Sequence, residues 1–335
     1  MQIPQEQLIL PKGVTVRRST RERYIIERLI SKGDTGAVYL VRLRNAAGQL
    51  FALKEIINPN EQDLQRFTFE GEVLRRLHHK ALPRVHYVFE NTQLKRVYIV
   101  MDYIQGRTLE DLRHNEPDDH FSLQIALVLM TPIVDALTYL HNQEPPIVHR
   151  DIKPANVILP SDGEGAMLVD FGSAKEYLSG DVVTVTSQRS PGYAAPEQYG
   201  RGTTIRTDIY GLGATLYTLL TGTAPIAATY RSLGAIDGKG DLLKPASALV
   251  PSLPTPVSDA IQKAMSLRSD DRFASIEEFW HAISVGAIDG SASNLLQLPS
   301  ATSASTSARR TTELEPAPVV AEASPASIPA PAPPI

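Results

Sequence analysis

The chain has 335 residues, of which 42% are hydrophobic, and a formal net charge of −4 at pH 7. This length predicts about two domains, and the apolar content is sufficient for their cores. The slight acidity argues against an extended contact with nucleic acid or with an anionic membrane surface. The absence of cysteine excludes disulfide bonds and thiolate catalysis, and it argues against a structural zinc site.

The chain shows no targeting or membrane signal that we can read from its sequence. Residues 1–6 do not have the basic and then apolar order of a secretory signal. No apolar run approaches the roughly 18 residues of a membrane helix, and the longest runs, 125–130 and 216–220, are typical of buried helix faces. We therefore expect a soluble, cytoplasmic chain without a membrane segment.

Strands dominate the first part of the predicted domain. Residues 1–23 show no clear periodicity and are interpreted as an arm. From residue 24 to 54, short β-branched and apolar runs alternate with Gly and Asn turn signals, which predicts three antiparallel strands. Residues 61–79 change to the apolar spacing of a helix, and strands return at 85–89 and 97–103.

Helices dominate the chain after Gly106. Apolar stretches at 123–140 and 209–220 predict two long buried helices, and residues 276–283 form the last predicted helix. The final segment is rich in Ala, Ser, Thr and Pro, so it cannot bury enough surface to order itself, and we predict a disordered tail. The predicted organisation is an arm at 1–23, a strand-rich region at 24–102, a helical region at 107–285 and the tail at 286–335.

Four polar residues carry the candidate chemistry. Asp151, Lys153 and Asn156 lie in one short loop, which brings a carboxylate, an amine and an amide together. Asp170 follows an apolar strand and precedes Gly172, which permits a sharp turn. Oxygen atoms of Asn156 and Asp170 are suitable ligands for a hard cation such as Mg²⁺.

These residues resemble the H-R-D-x-K-x-x-N and D-F-G signatures of eukaryotic-like serine/threonine protein kinases, which many bacteria contain. The resemblance extends over about residues 24–285 and implies an α+β fold of two lobes. The N-lobe would hold a small antiparallel sheet with one main helix, and the larger C-lobe would be mainly helical. By this resemblance Asp151 accepts the proton of the substrate hydroxyl, Lys153 neutralises the transferring phosphoryl group, and Asn156 and Asp170 bind Mg²⁺ or Mn²⁺.

A segment with two glycines near the start of the predicted sheet resembles the kinase loop that covers the phosphates of ATP. It departs from the family pattern at Ser31, which replaces the first glycine, and at Thr35, which replaces an aromatic residue. An ordinary hairpin is an equally good interpretation of this segment taken alone. The resemblance assigns the following residues to the ATP site: Ile30, Ser31, Lys32, Gly33, Asp34, Gly36 and Val38.

Residues 51–54 match the V-A-I-K strand of the family. This match makes Ala52 a residue of the ATP site and Lys54 the partner of the α- and β-phosphates. Glu70, on the following helix, is the expected partner of Lys54. Glu72 is a rival, but two residues correspond to about 200° around a helix, so only one of these glutamates can face Lys54.

Residues 98–106 resemble the last strand of the N-lobe and the hinge that follows it. By this resemblance Met101 lies at the back of the adenine pocket, and backbone groups of Asp102 and Ile104 bind adenine. Backbone contacts leave no side-chain signature, so an ordinary core strand is the alternative.

The stretch that ends at Glu197 indicates the class of acceptor. Residues 190–197 look like the substrate-positioning loop and the A-P-E end of a kinase activation segment, with Ser190 in the place of a threonine. Small-molecule kinases of related fold generally lack this segment, and Lys153 matches serine/threonine rather than tyrosine kinases. The family pattern also implies that Arg272 pairs with Glu197.

Two further features follow from the family pattern. Asp208 would hold the catalytic loop through backbone amides. Arg150 precedes Asp151, and in similar kinases this arginine often pairs with a phosphate on the activation segment. Thr184 and Thr186 are the preferred acceptors for autophosphorylation, and Ser187 is a third candidate. The alternative is that the hydroxyl groups of these residues are simply solvated and have no regulatory role.

The sequence therefore predicts a serine/threonine kinase that transfers the γ-phosphoryl group of ATP to protein substrates. Analogy with the family also suggests a homodimer formed through the N-lobe. Three alternatives remain: an ATP-binding pseudokinase scaffold, a small-molecule phosphotransferase, and an interaction protein that acts through its tail. The first is disfavoured because Lys54, Asp151, Asn156 and Asp170 are all present.

Overall fold

The structure is a computed structural model in which one compact unit ends at Leu296. It describes these residues: 9–20, 22–33, 36–44, 48–57, 59, 71, 73–171, 174–176, 190–200, 202–238 and 240–296. The predicted tail beyond residue 296 lies outside the described residues.

An antiparallel sheet of six strands forms the N-lobe, in the order β1-β2-β3-β4-β6-β5. Side chains at the start of β2 and along β3 alternate between buried and more accessible positions. β4 and β6, which lie further inside the sheet, are buried over several consecutive residues. The three strands predicted between residues 24 and 54 are confirmed as β2 to β4, and the two later strands as β5 and β6. The strands are β1 (Thr15–Arg17), β2 (Arg23–Lys32), β3 (Gly36–Leu43), β4 (Leu50–Ile57), β5 (Val85–Asn91) and β6 (Arg96–Asp102).

The sheet begins inside the segment that the sequence suggested was an arm. β1 pairs with the start of β2 in an antiparallel arrangement, with Val16 opposite Tyr24. Val16 is buried in a small hydrophobic cluster together with Tyr24, Tyr39 and Val41. A strand of three residues with one buried side chain has no periodicity, so tertiary packing alone reveals it.

The helix expected over residues 61–79 is shorter at its C-terminal end than predicted. Gly71 and residues 73–76 are helical, and the chain has left the helix at Leu77. His79 then forms a turn in which its Nδ1 accepts a hydrogen bond from the Ala81 N–H at 3.2 Å. Residues 60–70 and residue 72 lie outside the described part of the chain.

Helices form most of the C-lobe, and both long helices predicted there are confirmed. α3 is buried along almost its whole length, so the other C-lobe elements pack around it. Ser122 and Thr204 cap the N-termini of α2 and α3 with their hydroxyl groups. The helices are α1 (Leu109–Arg113), α2 (Leu123–His141), α3 (Ile205–Thr221), α4 (Ala228–Ile236), α5 (Ala246–Leu249), α6 (Thr255–Ala264) and α7 (Ile276–Leu296).

Short strands hold the loops that lie between the two lobes. β7 (Gly106–Thr108), β9 (Val157–Pro160) and β10 (Met167–Leu168) form one small sheet. β8 (Ile147–Val148) and β11 (Lys175–Glu176) form another. The segment between β8 and β9 is the candidate catalytic loop, so both of its ends are fixed by sheet hydrogen bonds.

The last helix extends beyond the predicted boundary at residues 285 and 286. α7 continues to Leu296, and Ala287 packs against the main core. A Cβ atom on Gly286 would lie 3.0 Å from the Cβ of Pro256, so α7 and the start of α6 approach closely at this glycine. The absence of a side chain at Gly286 permits this approach.

One helix in the described part of the chain, α2, is long and apolar enough to cross a membrane by length and composition. The lengths of the apolar runs predict no such segment. Seven of its residues are buried in the protein, including Met130, Ile133 and Leu137, and it packs against α3 and α7. These contacts are those of a core helix.

Candidate active site

A buried carboxylate shapes the loop that contains Asp151. Asp208, near the start of α3, accepts hydrogen bonds from the backbone N–H groups of His149 at 2.8 Å and Arg150 at 2.7 Å. Its Oδ2 also lies 2.9 Å from His141 Nε2. Arg150 has a φ of 68°, an uncommon value for a residue with a side chain, and the two hydrogen bonds donated to Asp208 help to hold this conformation.

Asp151 lies at the centre of a compact polar group. Its Oδ2 accepts hydrogen bonds from Lys153 Nζ at 2.9 Å and from Asn156 Nδ2 at 2.8 Å. Its Oδ1 accepts a hydrogen bond from Ser190 Oγ at 2.8 Å, and Ser190 Oγ also lies 2.6 Å from Lys153 Nζ. The structure thus brings together Asp151, Lys153, Asn156 and Ser190, four residues that the sequence analysis had selected.

Lys54 and Asp170 connect the two lobes. Lys54, in the middle of β4, forms a salt bridge with Asp170, and the Nζ to Oδ1 distance is 2.6 Å. Asp170 has a φ of 65°, and the next residue, Phe171, is buried against His149 with ring centroids 5.1 Å apart. The carboxylate of Asp170 therefore points toward the sheet and into the cleft, while Phe171 packs into the core.

The segment proposed to cover the phosphates is the hairpin between β2 and β3. Ser31 is opposite Val38 in the sheet, and the Gly33 N–H donates to the Gly36 carbonyl at 2.9 Å. Ile30, Ser31, Lys32 and Gly33 are exposed. The register also places Val38 opposite Lys54 and Ala52 opposite Met101. Lys54 and Ala52 are two residues apart on β4, so these two pairs lie in neighbouring rows on the same face of the sheet.

The hinge is anchored on the side of β5. The N–H of Asp102 donates to the Arg84 carbonyl at 3.0 Å, and its carboxylate accepts from the Arg84 N–H at 3.0 Å. The carboxylate also lies 2.7 Å from His86 Nε2. Met101 packs at the edge of the main core, and Ile104 lies between β6 and β7.

A buried ion pair fixes the end of the substrate loop. Arg272 donates to Glu197 through Nη1 to Oε1 at 2.7 Å and through Nη2 to Oε2 at 2.9 Å. Thr207 Oγ1 donates to the same carboxylate at 2.9 Å. The side chains of Arg272 and Glu197 are 0% and 11% exposed, and a buried pair of this kind needs such a complete set of partners.

The imidazole of His149 lies beneath the catalytic loop. It is fully buried, and desolvation lowers its pKa below the ordinary value of 6.5, although the nearby carboxylates oppose the shift. His149 therefore stays neutral near neutral pH, and its ring packs against Phe171.

Some predicted site residues lie outside the described part of the chain, so the structure gives no geometry for them. They are Asp34 and Thr35, which lie between β2 and β3 in the sequence, Glu70 and its rival Glu72, and the candidate acceptors Thr184, Thr186 and Ser187.

Two buried polar residues near the site were missed by the sequence analysis. Gln198 donates through Nε2 to the Arg150 carbonyl at 2.9 Å and accepts from the Ala195 N–H at 2.8 Å, so it joins the substrate loop to the catalytic loop. Glu55 follows Lys54 on β4 and is fully buried. Its position next to a strand lysine offered a weak signal, whereas Gln198 offered none beyond its proximity to Glu197.

The residues present fit a divalent cation. Asn156 uses its amide nitrogen to donate to Asp151, so its amide oxygen is the atom suited to a metal, and Asp170 adds a carboxylate. Among the described residues there is no cluster of three or more His, Cys, Asp or Glu side chains that could hold a metal by itself. Two oxygen ligands, completed by phosphate oxygens and water, are typical of Mg²⁺ bound with a nucleotide.

Comparisons with known proteins agree with this geometry. The family model for the protein kinase domain matches residues 24–281. Serine/threonine-protein kinase PknJ of Mycobacterium tuberculosis is 34% identical over 283 residues, which are 80% of this chain and 46% of that protein. Serine/threonine-protein kinase PkaA of Streptomyces coelicolor is 33% identical over 273 residues, 76% of this chain and 48% of that protein. The chain thus spans about half the length of these relatives.

The similarity extends to solved structures. The crystal structure of the M. tuberculosis PknI kinase domain matches with a TM-score of 0.65 at 28% identity, covering 83% of this chain and 99% of that chain. The chain belongs to the protein kinase family, and the bacterial relatives named above are serine/threonine-protein kinases of the eukaryotic-like type. The predicted family and two-lobed fold are thereby confirmed. Kinases of this family use ATP together with a divalent metal ion.

Proposed function

We propose that the chain is an active serine/threonine kinase that transfers the γ-phosphoryl group of Mg-ATP to hydroxyl groups of protein substrates. The observation that carries this proposal is the group of hydrogen bonds around Asp151, because a hydroxyl group, that of Ser190, lies 2.8 Å from its carboxylate. A second hydroxyl placed in the same way would be oriented for attack. The complete set of Lys54, Asp151, Asn156 and Asp170 favours catalysis over an ATP-binding scaffold.

Two residues act on the acceptor in this proposal. Asp151 orients the substrate hydroxyl and accepts its proton as the bond to phosphorus forms. Lys153, 2.9 Å from Asp151, carries a positive charge that balances the charge developing on the transferring phosphoryl group. Because the transition state is loose, position and charge contribute more than covalent chemistry does.

Other residues act on the nucleotide. Lys54 holds the α- and β-phosphates, and Asn156 and Asp170 hold Mg²⁺, or Mn²⁺ in its place. A cation held by Asn156 and Asp170 would supply positive charge to neutralise the phosphates. The N–H of Asp102 is engaged with Arg84, so its carbonyl oxygen, together with the backbone of Ile104, is the group we assign to adenine.

The acceptor is a protein in this proposal because residues 190–197 resemble the loop that positions a polypeptide substrate. This loop contacts Asp151 through Ser190 and is anchored by Arg272. Autophosphorylation at Thr184 or Thr186 follows from their position in the activation segment, and a homodimer would allow one copy to modify the other. We further propose action in the cytoplasm, without a nucleic acid or membrane partner for this chain.

The proposal is tested by transfer of ³²P from γ-labelled ATP to the protein itself and to myelin basic protein. We expect label on Ser or Thr only when Mg²⁺ or Mn²⁺ is present. Asp151→Asn keeps the shape of the site but loses the base, so its rate should fall about 10²- to 10⁴-fold. Mass spectrometry of the active protein should find phosphate on Thr184 or Thr186.

Each contrary result has a definite meaning. Wild-type protein that binds Mg-ATP but labels nothing would establish the pseudokinase alternative. Equal label in wild type and Asp151→Asn would show a contaminating kinase. Unmodified Thr184 and Thr186 in a protein that labels myelin basic protein would overturn autophosphorylation alone.

A further inference from the structure

A buried arginine in the C-lobe has no part in the chemistry proposed above. Arg231 lies on α4, and its side chain is completely buried. A guanidinium group keeps its charge at any physiological pH, so burial requires partners for its N–H groups. These partners show what Arg231 holds in place.

The first partner, Asp241, joins α4 to the loop that follows it, residues 240–243. Arg231 donates to Asp241 through Nε to Oδ1 at 2.8 Å and through Nη2 to Oδ2 at 2.6 Å, a two-pronged ion pair. Oδ1 of Asp241 also accepts from the Leu243 N–H at 3.0 Å. A Cβ atom on Gly234 would be 2.9 Å from Leu242 Cγ, so the loop lies directly on the helix.

The second partner leads toward the substrate loop. Arg231 Nη1 donates to the hydroxyl of Tyr210, a buried residue of α3, at 3.0 Å. The guanidinium carbon of Arg231 lies 5.9 Å from the centroid of this ring, and that of Arg272 lies 5.0 Å from it. One tyrosine ring thus contacts both buried arginines, and Arg272 in turn holds Glu197.

The substrate loop, residues 190–197, also contacts α4 and the segment before it, directly or through the turn at its end. The turn Pro196–Tyr199 packs against α4. A Cβ atom on Gly192 would be 2.6 Å from the Pro225 carbonyl oxygen, so the middle of the loop touches the chain just ahead of α4. A movement of α4 would therefore displace the loop at Gly192 and at Glu197 together.

We propose that Arg231 is a positioning residue for the protein substrate. With Asp241 and Tyr210 it holds α4 and Arg272 in the arrangement that keeps the substrate loop beside Asp151. This inference rests on the proposed kinase function. The residues assigned to the nucleotide lie in the N-lobe sheet, at the hinge, in the catalytic loop and at Asp170, all of them away from α4. Loss of Arg231 should therefore impair the use of protein substrate more than the use of ATP.

The test compares two reactions of the same protein. One is phosphorylation of myelin basic protein, which needs the substrate loop. The other is slow hydrolysis of ATP without a protein acceptor, which needs only the nucleotide site. Arg231→Met removes the guanidinium group. The side chain of Asp241 is 36% exposed, so water can solvate its carboxylate in this variant. We expect the ratio of kcat/KM for myelin basic protein to the hydrolysis rate to fall roughly 2- to 30-fold, with the KM for ATP unchanged.

Further variants separate positioning from folding. Tyr210→Phe keeps the ring and removes the hydroxyl that Arg231 binds, and it should lower the same ratio. Arg231→Lys keeps the charge without the fork, so its ratio should lie between those of wild type and Arg231→Met. Arg268→Met is the matched control, because Arg268 is a surface residue with a side chain 79% exposed, and its ratio should equal that of wild type.

A purely structural role gives a different result. If Arg231 only stabilised the fold, both reactions would fall together with the folded fraction, and an unchanged ratio in Arg231→Met and Tyr210→Phe would overturn the inference. If Arg231→Met does not fold, an unchanged ratio in Tyr210→Phe and Arg231→Lys overturns it equally. If the wild-type protein transferred no phosphoryl group to any protein, the proposed function itself would be overturned. The wild-type reaction tests that function independently of the variants.

Discussion

Ser190 links the two parts of the site that act on the acceptor. Its hydroxyl donates to Asp151 at 2.8 Å and accepts from Lys153 at 2.6 Å. One oxygen atom therefore bridges the carboxylate and the ammonium group. Hydrogen bonds to charged groups are stronger than those between neutral groups. Both contacts are made by the hydroxyl group, so serine can replace the threonine of the family pattern at this position.

Removal of this hydroxyl should slow phosphoryl transfer. Ser190→Ala loses hydrogen bonds to two charged groups. If the transition state loses the equivalent of one such bond, about 1.5–3 kcal/mol, kcat should fall roughly 10- to 100-fold. Ser190→Thr keeps the hydroxyl and is the matched control, with kcat close to that of wild type. Steady-state phosphorylation of myelin basic protein measures both. A Ser190→Ala variant as fast as Ser190→Thr would show that the hydroxyl has no such role.

At the scale of the element, β4 has different tasks on its two faces. Lys54 faces the cleft, whereas the next residue, Glu55, points to the opposite face and is buried. Glu55 accepts hydrogen bonds from the hydroxyls of Tyr39 at 3.0 Å and Tyr98 at 3.2 Å, and it pairs with Arg96. Burial raises the pKa of Tyr39 to about 12, so this phenol remains a donor to Glu55.

The hairpin of β3 and β4 depends on one glycine for close approach. Gly36 is opposite Ile56, and a Cβ atom at this position would lie 1.7 Å from the backbone oxygen of Glu55. A backbone atom cannot give way as a flexible side chain can. The two strands could accept a side chain at Gly36 only by separating next to Lys54.

A substitution at Gly36 should therefore affect stability and ATP binding together. Gly36→Ala forces the strands apart, which should cost about 1–3 kcal/mol of unfolding free energy and raise the KM for ATP. Gly200→Ala is the control, because a Cβ atom there meets no atom within 4 Å. Urea unfolding and ATP kinetics measure the two effects. Wild-type values of both quantities in Gly36→Ala would contradict the tight approach.

At the scale of the whole molecule, packing rather than composition decides where the folded unit ends. The compact unit ends at Leu296, within a stretch whose small residues resemble those of the predicted tail. Gly286 and Ala287 lie against α6 and the main core, so α7 is stabilised by tertiary contacts beyond residue 285. Helical propensity alone would not maintain such a short, glycine-containing extension.

Two truncations locate this boundary. A chain that ends at Val285 loses the contacts of Gly286 and Ala287, and we expect it to lose about 1 kcal/mol of stability, or roughly 2–4 °C in Tm. A chain that ends at Leu296 keeps these contacts and is the matched control, with the Tm of the full chain. Thermal unfolding followed by circular dichroism distinguishes them. Equal Tm values for both truncations would place the boundary at residue 285, as the composition suggested.

The sequence by itself determined the family, the two lobes, most strands, both long C-lobe helices and the residue types of the site. Periodic apolar residues and motifs such as those around Asp151 and Asp170 are local, so they can be read without coordinates. Only the tertiary structure revealed β1, the full length of α7, and the roles of Glu55, Gln198 and Arg231. These features depend on packing and hydrogen-bond partners that no local pattern identifies, and a buried polar residue has the same letter in a sequence as an exposed one. Its burial is decided when the chain folds and brings a partner such as Asp241 or Arg150 to it.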